Sequence, residues 1–267
     1  MSLKFCSLAS GSSGNCQFIA ANSSRVLLDA GLSGKYIKNA IDSISEDIST
    51  LSGILVTHEH SDHIQGVGVL MRRYNLDVYA NQSTWDAMMP KIGKVDPERV
   101  KVIQNGVPFS IGDLEVKSIA ISHDAADPVA YRFSDGISRL AVATDLGTVT
   151  EEILQELLQV DFLMLESNHD IEMLKMGSYP YYLKRRILSE IGHLSNDNAG
   201  EIATLAVQGG RVQNILLGHL SKENNFPELA FETVSGVLRE NHIHVGTDVC
   251  LDLSYRDRVG RVYSIGR

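Results

Sequence analysis

Thr57-His58-Glu59-His60-Ser61-Asp62-His63 gathers three of the chain's nine histidines into six residues, with carboxylates among them. Imidazole and carboxylate together suit Zn²⁺, Mn²⁺ or Fe. In extended backbone, residues i and i+2 face the same way, so His58 and His60 can ligate one ion. Asp62 and His63 then begin the next helix and can turn toward a second ion close by. One motif cannot close two coordination shells, so more ligands are expected at other strand ends. His123 ends the run 114–122, Asp145 ends 139–144, and His219 ends 213–218. Any one of these alone reads as a turn or cap residue. Three in the same relation to a strand, after such a motif, read as ligands. Asp29, in Leu27-Leu28-Asp29-Ala30-Gly31, is expected to hydrogen-bond the ligands, with a plain turn as the alternative. Glu166 and His169, in Glu166-Ser167-Asn168-His169-Asp170, are expected to make similar supporting contacts.

The elements that must position these residues are short apolar runs alternating with helical stretches. Strands are predicted at 5–8, 16–20, 25–28, 53–57, 78–80, 114–121, 129–133, 139–144, 162–165 and 213–217. Helices are predicted at 64–74, 150–159, 196–207 and 227–240. Asp135-Gly136 marks a hairpin. No Pro/Ser-rich linker divides the chain, so a single domain spanning 1–267 is expected, as a layered α/β sandwich.

Composition narrows the function. At 43% hydrophobic and 21% charged the chain is neither disordered nor fibrous. No apolar run approaches the roughly 20 residues of a membrane span, and no membrane association is expected. Cys6, Cys16 and Cys250 are too scattered for a disulfide framework or a CxxC site, which suggests reduced thiols and a cytoplasmic protein. A net charge of −9 argues against nonspecific coating of nucleic acid. It leaves room for an enzyme whose positive charge is supplied locally by metal ions.

The ordered set resembles the metallo-β-lactamase superfamily over nearly the whole chain: HxHxDH, an earlier strand-end Asp, a later His, a later Asp and a last His. That resemblance implies an α/β fold, a four-layer αββα sandwich of two mixed β-sheets with helices on the outer faces. It also implies two divalent metal ions per chain, Zn or Mn, with Fe as a further option. His58, His60 and His123 would bind one ion, Asp62, His63 and His219 the other, with Asp145 bridging both. Asp62 would take the proton of the attacking water. The drug-degrading β-lactamases carry a Cys at their site, whereas this chain has none near position 145.

Four further segments are similar to the bacterial YycJ (WalJ) family: 8–15, 122–128, 166–170 and 192–196. That family implies metal-dependent 5′→3′ exonuclease action, with DNA as the substrate. Only 74 positions separate Asp145 from His219, too few for the inserted domain of an RNase J-like protein. No stretch suits the tRNA-binding arm of RNase Z. The order Gly-His, small polar residues, Ala-rich helix, strand, Gly-His nevertheless resembles the corresponding stretch of RNase Z and related phosphodiesterases. There the first His protonates the leaving oxygen, which implies that role for His193.

Lys175 to Arg186 carries four basic side chains and three tyrosines in an otherwise acidic chain. Tyr181, Lys184, Arg185 and Arg186 could hold phosphates and stack bases, and a helix surface is the alternative. The loop Ser10-Gly11-Ser12-Ser13-Gly14-Asn15 reads either as a backbone phosphate cradle or as a tight strand connection. Two rival functions remain. A small-molecule cyclic phosphodiesterase is favoured by the acidic charge, and a non-catalytic metal-binding regulatory protein is opposed by the complete ligand set. Protein partners and oligomeric state leave no mark in the sequence.

Overall fold

Runs of buried aliphatic residues, stopped by Gly, Asn or Asp turns, set the strands. The computed structural model describes residues 2–266. In chain order the strands are Leu3–Ala9 (β1), Cys16–Ala21 (β2), Ser24–Leu28 (β3), Gly53–Leu55 (β4), Asp77–Ala80 (β5), Val100–Val102 (β6) and Phe109–Ile111 (β7). They continue as Leu114–Ala120 (β8), Val129–Ser134 (β9), Arg139–Ala143 (β10), Phe162–Glu166 (β11), Asn214–Gly218 (β12), Cys250–Leu253 (β13) and Tyr263–Ile265 (β14). Among the described residues they form two mixed sheets of seven. Two compact units are distinguished. The first comprises Met1–Ala120, Ala125–Ser138 and Tyr255–Arg267, the second Ile121–Asp124 and Arg139–Ser254.

In the first unit, β14, β1, β2 and β3 pair antiparallel, and β3, β4, β5 and β6 pair parallel. Leu8, Phe18, Leu27, Ile54 and Val78 share a core with Ile37, Ile41, Leu70, Trp85 and Met88 from helices Gly34–Ser43, Val67–Tyr74 and Gln82–Met88. Burying each such side chain is worth about 1.5–3 kcal/mol. Ser33 and Asn81 cap two of these helices by accepting from Tyr36 N and Thr84 N, for about 1 kcal/mol each.

The run 64–74, expected as one helix, is broken into Ser61–Ile64 and Val67–Tyr74. The break has a local cause. Gly66 N donates to Ala30 O at 2.7 Å, and a Cβ on Gly66 would lie 2.4 Å from Leu32 O. Gly31 is tighter still, since a Cβ there would sit 1.6 Å from Asp62 O. Asn15 N donates to Asp62 O, and Ala30 N to His63 O, both at 2.8 Å. The short helix carrying Asp62 and His63 is thereby fastened to the segments following β1 and β3.

In the second unit, β10, β11, β12 and β13 are parallel, with Val142, Met164 and Leu216 in register. The first three are almost wholly buried, as parallel strands usually are. Helix Asn196–Gln208, capped by Ser195, packs closely on helix Pro227–Glu240. A Cβ on Gly200 would fall 2.7 Å from Val237 Cβ, so only glycine permits that approach. No described helix is long and apolar enough to cross a membrane.

Candidate metal centre

His58 follows β4 by three residues and is fully buried, whereas His60 is half-buried. His58 Nε2 and His60 Nδ1 lie 3.0 Å apart with the rings edge to face. His63 is fixed from behind. Its Nδ1 is 2.7 Å from Asp29 Oδ2, while Thr57 donates to the same carboxylate through N at 2.8 Å and Oγ1 at 2.9 Å. This contact places the His63 proton on Nδ1 and leaves Nε2 as the acceptor nitrogen, the form a ligand needs. His63 Nε2 lies 3.7 Å from Asp62 Oδ2 and 3.0 Å from Asn15 Nδ2. Asn15 is itself held by Gly11 N, which donates to its Oδ1 at 2.9 Å. The Gly-rich loop is thus wrapped around Asn15, with Gly14 N donating to Gly11 O at 2.9 Å.

The second unit builds its cluster around one carboxylate. Glu166, at the end of β11, is fully buried. Its Oε1 lies 2.8 Å from both His193 Nδ1 and His219 Nδ1, and its Oε2 accepts from Leu146 N at 2.7 Å and Leu194 N at 3.2 Å. Burial pushes this carboxyl up, but the imidazoles of His193 and His219 outweigh burial and hold it down at about 2. Asp145 Oδ1 is 3.3 Å from His219 Nδ1 and 3.7 Å from His123 Nε2. Ligand atoms of Asp145, Glu166, His193 and His219 all lie within 4.8 Å of one another. Burial lowers the His123 pKa against the opposing pull of Asp145, so the ring is neutral near pH 7, as coordination requires. Asn168 Nδ2 donates to His219 O at 2.8 Å, and Asn225 braces the same strand ends through Ser167 O and Asn196 Oδ1.

Backbone geometry unites three of these residues. Asp29, Asp145 and His219 each follow a strand and each take a left-handed conformation, with φ of 58°, 58° and 55°. Non-glycine residues seldom do so, and such positions concentrate at functional sites.

Several expectations need correction. His169 gives the cluster no supporting contact: neither ring nitrogen has a hydrogen-bond partner among the described residues, although the ring is buried. Its backbone is engaged instead, with Asn196 N donating to His169 O at 2.9 Å. Lys184 is not poised for phosphate, because its Nζ donates to Lys175 O and Gly177 O at 2.8 and 2.7 Å. Arg186 is paired with Asp124, the neighbour of His123. Tyr181 and Arg185 are exposed on helix Tyr181–Ile187. Asn15, Thr57 and Asn225 were not anticipated. The only hints were adjacency to His58 for Thr57 and the Gly-rich loop for Asn15.

The donor types fit a divalent cation: imidazole nitrogens and carboxylate oxygens, with Asp29 and Glu166 beside His63 and His219 to set where the protons lie. Residues 24–218 match the family model described as the beta-lactamase superfamily domain, which defines the class as a metallo-β-lactamase-fold protein. The chain is 45% identical over 246 residues to exodeoxyribonuclease YycJ of Bacillus anthracis, covering 92% of this chain and 93% of that one. It is 44% identical over 247 residues to exodeoxyribonuclease WalJ of Streptococcus pneumoniae serotype 2, covering 92% and 91%. The chain therefore belongs to the YycJ/WalJ family of the metallo-β-lactamase superfamily. Its fold is similar to that of the metallo-beta-lactamase fold protein YhfI from Bacillus subtilis, with a TM-score of 0.71 at 16% identity over 97% of this chain and 99% of that one. The expected fold class stands.

Proposed function

We propose that this metal-dependent hydrolase cleaves phosphodiester bonds with two bound divalent ions, as a 5′→3′ exonuclease on DNA. The observation that carries the reading is the Glu166–His193 pair. His193 is anchored through Nδ1, and its side chain keeps 18% exposure, so substrate can reach the ring. The relatives named exodeoxyribonucleases support DNA as the substrate.

The proposed ligands are His58, His60 and His123 for one ion and Asp62, His63 and His219 for the other, with Asp145 shared. Zn or Mn is the proposed metal, with Fe as the other option. When bound, such ions supply Lewis acidity and a water that ionises near neutral pH. The chain's own residues do the rest. Asp29 and Glu166 hold His63 and His219 in the ligating tautomer, and Asp62 accepts the proton of the attacking water. His193, with Nδ1 on Glu166, passes a proton from Nε2 to the leaving oxygen. Tyr181 and Arg185 are the exposed groups proposed to meet the polynucleotide. The whole chain, 1–267, is proposed to work as one domain in the cytoplasm, in keeping with its three free cysteines.

The net charge of −9 favours one other reading, a cyclic phosphodiesterase of small molecules. Assay of the Mn²⁺-loaded protein on 5′-labelled DNA, on RNA and on a chromogenic phosphodiester separates the two. Mononucleotide release from the labelled DNA end is expected. Hydrolysis of the small ester with no polynucleotide cleavage would overturn the nuclease reading in favour of the second.

A further inference from the structure

A pocket of about 190 Å³ lies in the second unit beside His193, and the mechanism above does not use it. Its lining combines two kinds of surface. Ile171 and Leu188 offer aliphatic side chains, and His169, His193, Asn198 and Glu190 offer hydrogen-bonding groups. His169 is the unexplained member. It is 1% exposed, and both its ring nitrogens lack a hydrogen-bond partner among the described residues. A buried polar group left so is costly unless something else satisfies it. Asn198 Oδ1 accepts from Ser195 Oγ at 3.2 Å, which keeps its two Nδ2 hydrogens for another partner.

The ligand's chemistry follows from the lining. Among the described residues no Lys or Arg lines the pocket, and burial keeps the His169 ring neutral, so a phosphate does not suit it. What suits it is a flat ring with apolar faces and a polar edge: aliphatic walls for the faces, imidazole and amide for the edge. An apolar cavity of about 150 Å³ admits a benzene ring, so this pocket has room for a single heterocycle. We infer that the pocket beside His193 receives one nucleobase of the substrate, read along its edge by His169 and Asn198. The inference rests on the nuclease reading, and it adds a base contact to a site otherwise built for phosphate.

The test is a binding measurement on the metal-loaded protein, with deoxyadenosine 5′-monophosphate and thymidine 5′-monophosphate set against deoxyribose 5-phosphate. All three carry the same phosphate, so metal affinity cancels in the ratio. The nucleotides should bind roughly tenfold tighter or more, the scale of one base contact. In His169→Phe, which keeps the ring shape without its nitrogens, that ratio should collapse toward unity, and His169→Gln should restore part of it. Equal wild-type affinity for base-bearing and base-free phosphates would overturn the proposal, and that comparison needs no variant to fold. So would a His169→Phe protein that keeps the wild-type ratio, since His169 would then be bonded only to water. DNA cleavage without base preference sinks the pocket alone. Base preference without any DNA cleavage sinks the nuclease reading alone.

Discussion

In the first unit four candidate ligands come from the six residues His58 to His63, and the carboxylate that orders one of them, Asp29, comes from the end of a neighbouring strand. In the second unit the candidates His123, Asp145 and His219 are dispersed along the chain, and Glu166 grips two histidines at once. The first arrangement gets its precision from backbone fastening, in which Gly31, Asn15 and Ala30 hold the short helix. The second gets it from a single buried anion with four donors. A local motif can therefore lose one support and keep the others. A dispersed cluster with one hub cannot.

The largest expected effect tests whether the hub serves two separate jobs. His193→Ala should retain its metal, by elemental analysis, while kcat on DNA falls by roughly 10²–10⁴. The loss should shrink on p-nitrophenyl esters, whose leaving group needs no proton. Metal loss in this variant would make His193 a ligand and erase the distinction between the two jobs.

The next effect sets Asp29→Ala beside Glu166→Ala. Each should weaken metal binding by roughly 10–100-fold, measured by metal titration. Asp29→Ala should regain activity in excess Mn²⁺, because only a ligand's orientation is disturbed. Glu166→Ala should not, because His193 also loses its anchor, and its unfolding free energy should fall by about 1–3 kcal/mol or more as buried donors, Leu146 N and Leu194 N among them, lose their acceptor. Equal rescue of both variants would break the contrast between fastening and hub.

The smallest effect separates structural from contacting cations on helix Tyr181–Ile187. Arg185→Ala should reduce the salt dependence of DNA binding by about one unit of slope. Lys184→Ala should leave that slope unchanged and cost about 1 kcal/mol of stability, through its lost bonds to Lys175 O and Gly177 O. The reverse pattern would return Lys184 to the substrate face.

Much of the candidate site was legible because its residues follow apolar runs that can only be strands. His58, Asp29, Asp145 and His219 are all visible in that way. The strands β6, β7, β13 and β14 were not legible: each has three or four residues, most of them part-exposed, too short for any period to emerge. Nor could local pattern reveal that Leu3 of β1 pairs with Ile265 of β14. The supporting bonds failed differently. His169 stands three residues from Glu166, yet the turn after β11 carries its ring elsewhere, and His193, 27 positions away, takes the bond. Proximity along the chain is a poor guide to who holds a carboxylate. Asn15 and Thr57 act through small polar groups whose partners exist only once the chain has folded.

The left-handed turns at Asp29, Asp145 and His219 restrict how such a centre can be rebuilt. Asp, Asn and His are the non-glycine residues that enter this conformation most readily, and Asp and His are also metal ligands. The overlap lets one residue satisfy both the bend and the chemistry. An engineer seeking a softer ion would place Cys at 145 or 219, and one seeking a longer reach would place Glu. Both side chains could coordinate, but neither belongs to the group that tolerates the bend. The alphabet available for retuning this centre is set by its backbone before ligand softness is considered.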